Sequence, residues 1–284
     1  MSAGTSVGSS GADRPIGVFD SGVGGLSVLN ALRAELPHER FVYFADTAHA
    51  PYGERGDTFV ARRTAAIARH LIDEHEIKAL VVACNTATAA GIHELRAEHP
   101  ALPVIGVEPA LKPAVALSKT GHIAVIATRV TLESRKFEAL HTSLATQARF
   151  SIVPCDGLAG AIERDEAVQV TALCEKYLGA AGRFGGKPGQ IDTLVLGCTH
   201  YPFIVEELRR HTGDEVRFID TGAPVAQQTR RLLLNAGQLK LEGPGAVRLL
   251  TSSAPETLDA TAARWLDGPV GPATRAWASD ATAT

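Results

Sequence analysis

Two cysteines in this chain stand where a thiol can do chemistry. Cys84 lies in KALVVACNTATAA (78–90), between an apolar, β-prone run and an alanine-rich helical one. Cys198 lies in DTLVLGCTHYP (192–202) on the same plan, 198 − 84 = 114 residues further on. A thiol at a strand-to-helix junction faces free N–H groups and the partial positive charge of the helix start. Both lower its pKa and make thiolate available near neutral pH. Ligands of open α/β sheets also bind at the carboxyl ends of strands. One such cysteine reads equally well as a small buried hydrophobe. Two in matching settings, flanked by Asn85–Thr86 and Thr199–His200, favour chemistry. A single cysteine with His200 would make an acyl-transfer nucleophile and leave the other unexplained. A pair accounts for both. One thiolate removes a proton from a flat, carbanion-like centre, the thiol opposite returns one, and the configuration inverts.

The elements that must position them alternate. PIGVF (15–19), RFVYFAD (40–46), ALVVA (79–83), PVIGV (103–107), HIAVIAT (122–128), TLVLG (193–197), VRFID (216–220) and AVRLLTS (246–252) read as strands. Helical spacing follows in 25–36, 57–75 (with Asp57 as N-cap), 87–99, 131–144, 166–181, 203–211, 224–236 and 255–266. The fold class expected is α/β, with mostly parallel sheets flanked by helices. The paired strand–Cys–helix units point to two similar lobes. Residues 1–13 and 269–284 are rich in small and polar residues and are expected to be disordered tails.

Other motifs compete less well. VFDSGVGGLSVL (18–29) is a strand, a glycine turn and a helix, but Ser27 occupies the third glycine position of a dinucleotide fingerprint. There is no P-loop lysine. DSG (20–22) and DTG (220–222) resemble the paired motifs of aspartic proteases, whose all-β frame this chain lacks. Asp220 then reads as a turn or cap residue.

With 45% hydrophobic residues in 284, the chain can bury a large core. Its net charge of −3 argues against nucleic acid or an anionic membrane as partner. Arg62–Arg63 and Arg209–Arg210 read as solvated helix faces. Four cysteines without a CxxC pair argue against structural zinc, so no metal is expected. Without an apolar leader or spanning run, a soluble cytoplasmic protein with reduced thiols is expected.

IGVFDSGVGGLSVL, YFADTAHAPYGER, VVACNTATA, IGVEPALKPA and LVLGCTHYP, in this order, resemble the motif set of the glutamate racemases, within the cofactor-independent aspartate/glutamate racemase superfamily. The similarity runs from about Pro15 to Gly237. It implies interconversion of L- and D-glutamate for peptidoglycan synthesis, and thus cell wall biogenesis and cell shape. It implies no cofactor, a homodimer, and two interleaved lobes, 14–109 plus 219–268 and 110–218, with the site between them. Cys84 and Cys198 would be the acid/base pair, with Asp20 and His200 tuning them and Glu163 as a weaker match to a further helper. Asp20, Ser21, Tyr52, Gly53, Asn85, Thr86, Thr199 and His200 would line the substrate site. Some family members answer to a cell-wall precursor, and others bind DNA gyrase, which resemblance alone brings into view as a partner.

The residue types agree with that reading. Asn, Thr, Ser and backbone N–H groups at helix starts hold carboxylates, and Asp20 can accept from an α-ammonium. Tyr52 either closes the pocket or packs within its turn. Thr128 and Thr131 either meet substrate or cap a helix. Glutamate is expected over aspartate. Aspartate racemase or decarboxylase activity, a Cys-nucleophile hydrolase and a binding protein with inert thiols are the alternatives.

Overall fold

Apolar runs without polar alternation mark strands covered on both faces. IGVFD, ALVV and TLVLG are buried at every position. The computed structural model describes residues 11–276. Its elements are β1 (Ile16–Asp20), α1 (Leu26–Glu35), β2 (Arg40–Ala45), α2 (Asp57–His75), β3 (Ala79–Val82), α3 (Asn85–Glu98), β4 (Val104–Gly106) and α4 (Leu111–Leu117). Then follow β5 (His122–Ala127), α5 (Arg129–Leu132), α6 (Arg135–Leu144), β6 (Arg149–Pro154), α7 (Leu158–Glu163), α8 (Ala167–Ala181), β7 (Thr193–Gly197), α9 (Val205–Thr212) and β8 (Arg217–Ile219). The chain closes with α10 (Gly222–Asn235), β9 (Ala246–Thr251), α11 (Pro255–Trp265) and β10 (Thr274–Arg275).

The strands form two sheets, in the orders β10-β9-β2-β1-β3-β4 and β6-β5-β7-β8. Every pairing is parallel. The α/β, two-lobed architecture expected from the sequence is therefore present. The inner order β2-β1-β3-β4 repeats as β6-β5-β7-β8. In each sheet the chain first adds a strand on one side of the starting strand and then crosses to the other. Each sheet thus has a topological switch point, between β1 and β3 and between β5 and β7, where ligands gather in such folds.

The strand period of two splits each core in two. Val18, Ala79 and Val81 face α1, α10 and α11, whereas Phe19, Leu80 and Val82 face α2 and α3. Leu194 and Leu196 face α7 to α9, and Ile123, Val125 and Val195 face α4 and α6. A ring stack joins the surroundings of the two sheets, and a hydrogen bond within the first holds it in place. Trp265 of α11 stacks on Phe203 at 4.0 Å between ring centroids, with the planes 9° apart. Asn30 of α1 donates to the Trp265 carbonyl at 2.7 Å.

Several local expectations need correction. The cap of α2 is Gly56, and Asp57 is already in the first turn. The helix expected over 131–144 is two, because the Ser134 hydroxyl accepts from Phe137 N–H and restarts the chain as α6. The strand β6 and the helices α4 and α7 appear where no element was expected. Arg63 is not on a solvated face: it is 4% exposed and pairs with Asp46. Both expected tails are partly ordered. Lys78 Nζ donates to the Ala12 carbonyl at 2.6 Å. Thr274 and Arg275 pair with Leu250 and Thr251, and Ala273 N–H donates to Asp259 at 2.7 Å. The rest of both tails lies outside the described residues.

Candidate active site

Cys84 follows β3 and Cys198 follows β7, so the two thiols occupy equivalent switch points in the two sheets. Both are buried, 6% and 7% exposed. Their local settings differ from the expected match. Cys84 is the N-cap of α3, its sulfur accepting from Ala87 N–H at 3.4 Å. Cys198 leads instead into a turn and a short 3-10 helix, Tyr201–Ile204, before α9 begins. Its sulfur faces His200 Nδ1 at 3.7 Å.

The thiol of Cys84 is not lowered, as the helix-start argument requires. Burial pushes it up to about 12, and the Asp20 carboxylate adds to the rise. The Ala87 N–H and the Ser21 hydroxyl, 3.6 Å away, offset this only in part. The helix terminus does act on the sulfur, but desolvation is the larger effect.

Asp20 ends β1 beside Cys84 and is fully buried. Oδ2 accepts from Gly22 N–H at 3.1 Å, and Oδ1 has no protein partner. Burial raises its pKa. His200 counters that rise, and Glu163 adds to it. Asp220 makes the same turn, accepting from Gly222 N–H at 2.7 Å, but at the head of α10. The likeness of DSG and DTG is thus a shared turn, not a shared catalytic role.

On the other side His200 bridges Cys198 and Glu163. Its Nε2 meets Glu163 Oε2 in a short contact across 37 residues of sequence. Burial would lower its pKa, but the charge of Glu163 and the Cys198 hydrogen bond override burial and hold it well above the usual imidazole value. A line Cys198–His200–Glu163 results, along which a proton can be passed. Glu163 sits at the end of α7, which the sequence did not reveal.

Asn85 is buried with both amide atoms unpartnered. Together with Asp20 Oδ1 it leaves three polar atoms without protein hydrogen bonds beside Cys84, a costly arrangement unless a ligand completes it. Thr86 Oγ1 reaches Thr128 Oγ1 at 3.3 Å, from the other sheet. Thr128 also caps α5 through Thr131 N–H at 3.4 Å. Gly53 lies against Thr128, where an added Cβ would sit 3.2 Å from Cγ2. Thr199 accepts from the Ser27 hydroxyl at 2.9 Å through its carbonyl.

Tyr52 takes the turn-packing role. It is buried, and its hydroxyl donates to Asp46 Oδ2 at 2.5 Å. Arg63 clasps the same carboxylate at 3.0 and 2.8 Å. Burial opposes the charge on Asp46, but Arg63 and Tyr52 outweigh it and hold the carboxyl below its usual range. The network anchors the 46–55 loop that carries Gly53.

Among the described residues, no three His, Cys, Asp or Glu side chains are grouped to hold a metal ion, and no helix is long and apolar enough to cross a membrane. Larger surface clefts lie away from the thiols. One of about 390 Å³ is bordered by Arg33 and Phe41, and one of about 590 Å³ by His93 and Arg135.

The sequence model of the Asp/Glu/Hydantoin racemase family matches residues 25–229. A glutamate racemase of Pseudomonas syringae pv. tomato is 44% identical over 245 residues, 86% of each chain. The crystal structure of a glutamate racemase isoform of Bacillus anthracis superposes with a TM-score of 0.81 at 32% identity, covering 93% of this chain and 97% of that one. That of the Francisella tularensis glutamate racemase in complex with D-glutamate gives 0.79 at 28% identity, covering 94% and 98%.

Proposed function

The chain belongs to the Asp/Glu/hydantoin racemase family and to the glutamate racemases within it, and on that premise we propose that it interconverts L- and D-glutamate with Cys84 and Cys198 as opposed acid and base. The observation that carries this is the placement of the two thiols at equivalent switch points of two parallel sheets. An α-carbon held between them is open to each from a different face.

Asp20 Oδ1 accepts from the α-ammonium, and Asn85, Thr86, Thr128 and Ser21 supply polar contacts to the carboxylates. With its pKa near 12, Cys84 waits as a thiol and acts as the acid when turnover starts from the Cys198 side. Cys198 takes the α-proton as His200 and Glu163 adjust to the charge on its sulfur. The carbanion then takes a proton from Cys84, and the reverse reaction exchanges the roles. No cofactor is called on, so activity is expected to persist with chelators and carbonyl reagents.

Because both thiols are buried, substrate access requires the lobes to separate. We take those lobes as 14–109 plus 219–268 and 110–218, with the first continuing through β10. The family resemblance supports a homodimer and a role in supplying D-glutamate to peptidoglycan in the cytoplasm. Light scattering of the purified chain tests the first.

Glutamate is expected well ahead of aspartate. Donors spaced for a γ-carboxylate stay unpaired when the substrate is one methylene shorter, at about 1–3 kcal/mol each, and polar sites discriminate sharply. The decisive experiment is incubation with L-glutamate in D₂O, following optical rotation and α-deuteration together. Loss of rotation with matching deuterium uptake is expected. Rotation lost without deuterium uptake would overturn the two-thiol exchange, and equal efficiency on aspartate would overturn the substrate assignment.

A further inference from the structure

The glycines of DSGVGG (20–25) are not explained by backbone conformation. Gly22, Gly24 and Gly25 all lie outside the left-handed region, so any residue could adopt their φ. What they lack is room. A Cβ on Gly22 would stand 2.2 and 2.4 Å from the two carboxylate oxygens of Glu163. On Gly24 it would stand 2.4 Å from His200 Nδ1 and 2.7 Å from Thr199 Oγ1. Gly25 differs: its Cβ would meet Asp20 Cβ of the same loop at 2.6 Å.

Two of the three glycines therefore face the other lobe, and they face the two groups that stand behind Cys198. Further contacts fix the loop there. Val23 N–H donates to Glu163 Oε2 at 3.5 Å, and Ser27 Oγ to the Thr199 carbonyl at 2.9 Å. From beneath, the Tyr43 hydroxyl donates to the Gly22 carbonyl at 2.9 Å. The hydrogen-bond partner of the Cys84 thiol and the carboxylate beside it, Ser21 and Asp20, come instead from the strand end next to its own.

We propose that Gly22 and Gly24 are positioning residues for the Cys198 half of the reaction, admitting Glu163 and His200 against the first lobe's loop so that the proton line behind Cys198 is held in register by that loop when the lobes meet. The proposal rests on the racemase reading. It makes the two thiols unequal: Cys84 keeps its partners when the lobes part, and Cys198 loses the surface that seats its partners.

The test is a double-mutant cycle together with thiol mapping. Gly22→Ala is made in the wild-type chain and in a Glu163→Ala background, where the opposing carboxylate is gone. Glutamate racemisation, the melting temperature and the pH dependence of iodoacetamide alkylation at each cysteine are measured, the last by peptide mass spectrometry. In the wild-type background Gly22→Ala should lower kcat by at least about tenfold, given that displacement of a positioned group by 1 Å can cost about 10²-fold. In the Glu163→Ala background the same change should cost less than about twofold in kcat and leave the melting temperature unchanged, since the clash has been removed. Gly24→Ala should alter the alkylation profile of Cys198 and leave that of Cys84 in place. Equal penalties in both backgrounds, or matching shifts at both cysteines, would overturn the proposal. If Gly24→Ala does not fold, the Gly22 cycle still decides through melting temperature. Alkylation is read without glutamate, so a wild-type chain inert toward glutamate would sink the racemase reading separately from this one.

Discussion

The two thiol sites are alike in topology and unlike in construction. Each follows a strand at the switch point of a parallel sheet, yet Cys84 caps a 14-residue helix while Cys198 opens a turn and a 3-10 helix. Cys84 has a carboxylate, Asp20, on the next strand, and burial keeps its thiol protonated. Cys198 has an imidazole backed by a carboxylate, contributed by its own turn and by α7. A repeated fold thus carries two differently built thiol surroundings. Switch-point geometry places each thiol, and for Cys84 burial sets the protonation.

The comparison breaks first if either thiol is dispensable. Cys84→Ser and Cys198→Ser should each reduce racemisation by at least about 10²-fold, with far-ultraviolet circular dichroism unchanged. Near-normal turnover in either variant would end the paired mechanism.

Next in size is the anchor on the Cys84 side. Asp46→Asn leaves the Arg63 guanidinium buried with a weakened partner, at about 3–5 kcal/mol for a broken buried pair. The folded pKa of Asp46 is depressed, so its contribution is present above the unfolded carboxyl pKa and fades as pH falls through the folded value. The gap in urea stability between wild type and Asp46→Asn should therefore be full at pH 7 and shrink below about pH 4. A gap that stays constant down to pH 2 would show that packing, not charge, sets it.

Thiol titration sharpens the contrast more gently. Alkylation of Cys84 should still be climbing through pH 10 to 11, consistent with a thiol near 12. Asp20→Asn removes a charge that raises that value, so the Cys84 profile should move to lower pH. No movement would mean that burial alone sets the thiol.

Smallest is the effect of trimming the carboxyl-terminal segment. Removing residues 277–284 should leave stability and activity as they are. Removing 270–284 also takes β10 and buried Ala273, and should cost roughly 1–2 kcal/mol of stability, the scale of a few net hydrogen bonds, with kcat intact. A loss of turnover would tie that segment to the site.

Cys84, Cys198, Asp20 and His200 were legible because each sits within a few residues of a strand end, and strand ends are marked by local apolar runs. The α/β class was legible for the same reason. Glu163 came into view only as a weak match by resemblance, and its pairing with His200 did not, since the two are 37 residues apart and meet only because α7 follows a strand two places from β7. The Asp46–Arg63 pair was hidden because an arginine on a helix face reads as solvated until the opposite strand is placed. Ser134 was passed over because the apolar spacing of 131–144 runs straight through the cap. The raised Cys84 thiol depends on burial, which a helix-start argument does not contain. At β10, two residues of pairing leave too short a trace for any period to register.

The stack of Trp265 on Phe203 has a practical consequence. It spans the junction between α11 and the chain beyond β7, so the lobe separation proposed above would have to loosen it. Trp265 is one of two tryptophans in the chain. With Trp277→Phe it becomes the sole indole emitter, an optical gauge already seated where α11 meets the chain beyond β7. Separation of the rings would expose the indole and shift its emission to the red, and glutamate binding would pull it back. Stopped-flow fluorescence would then time the opening and closing of the molecule against its turnover, with no dye attached.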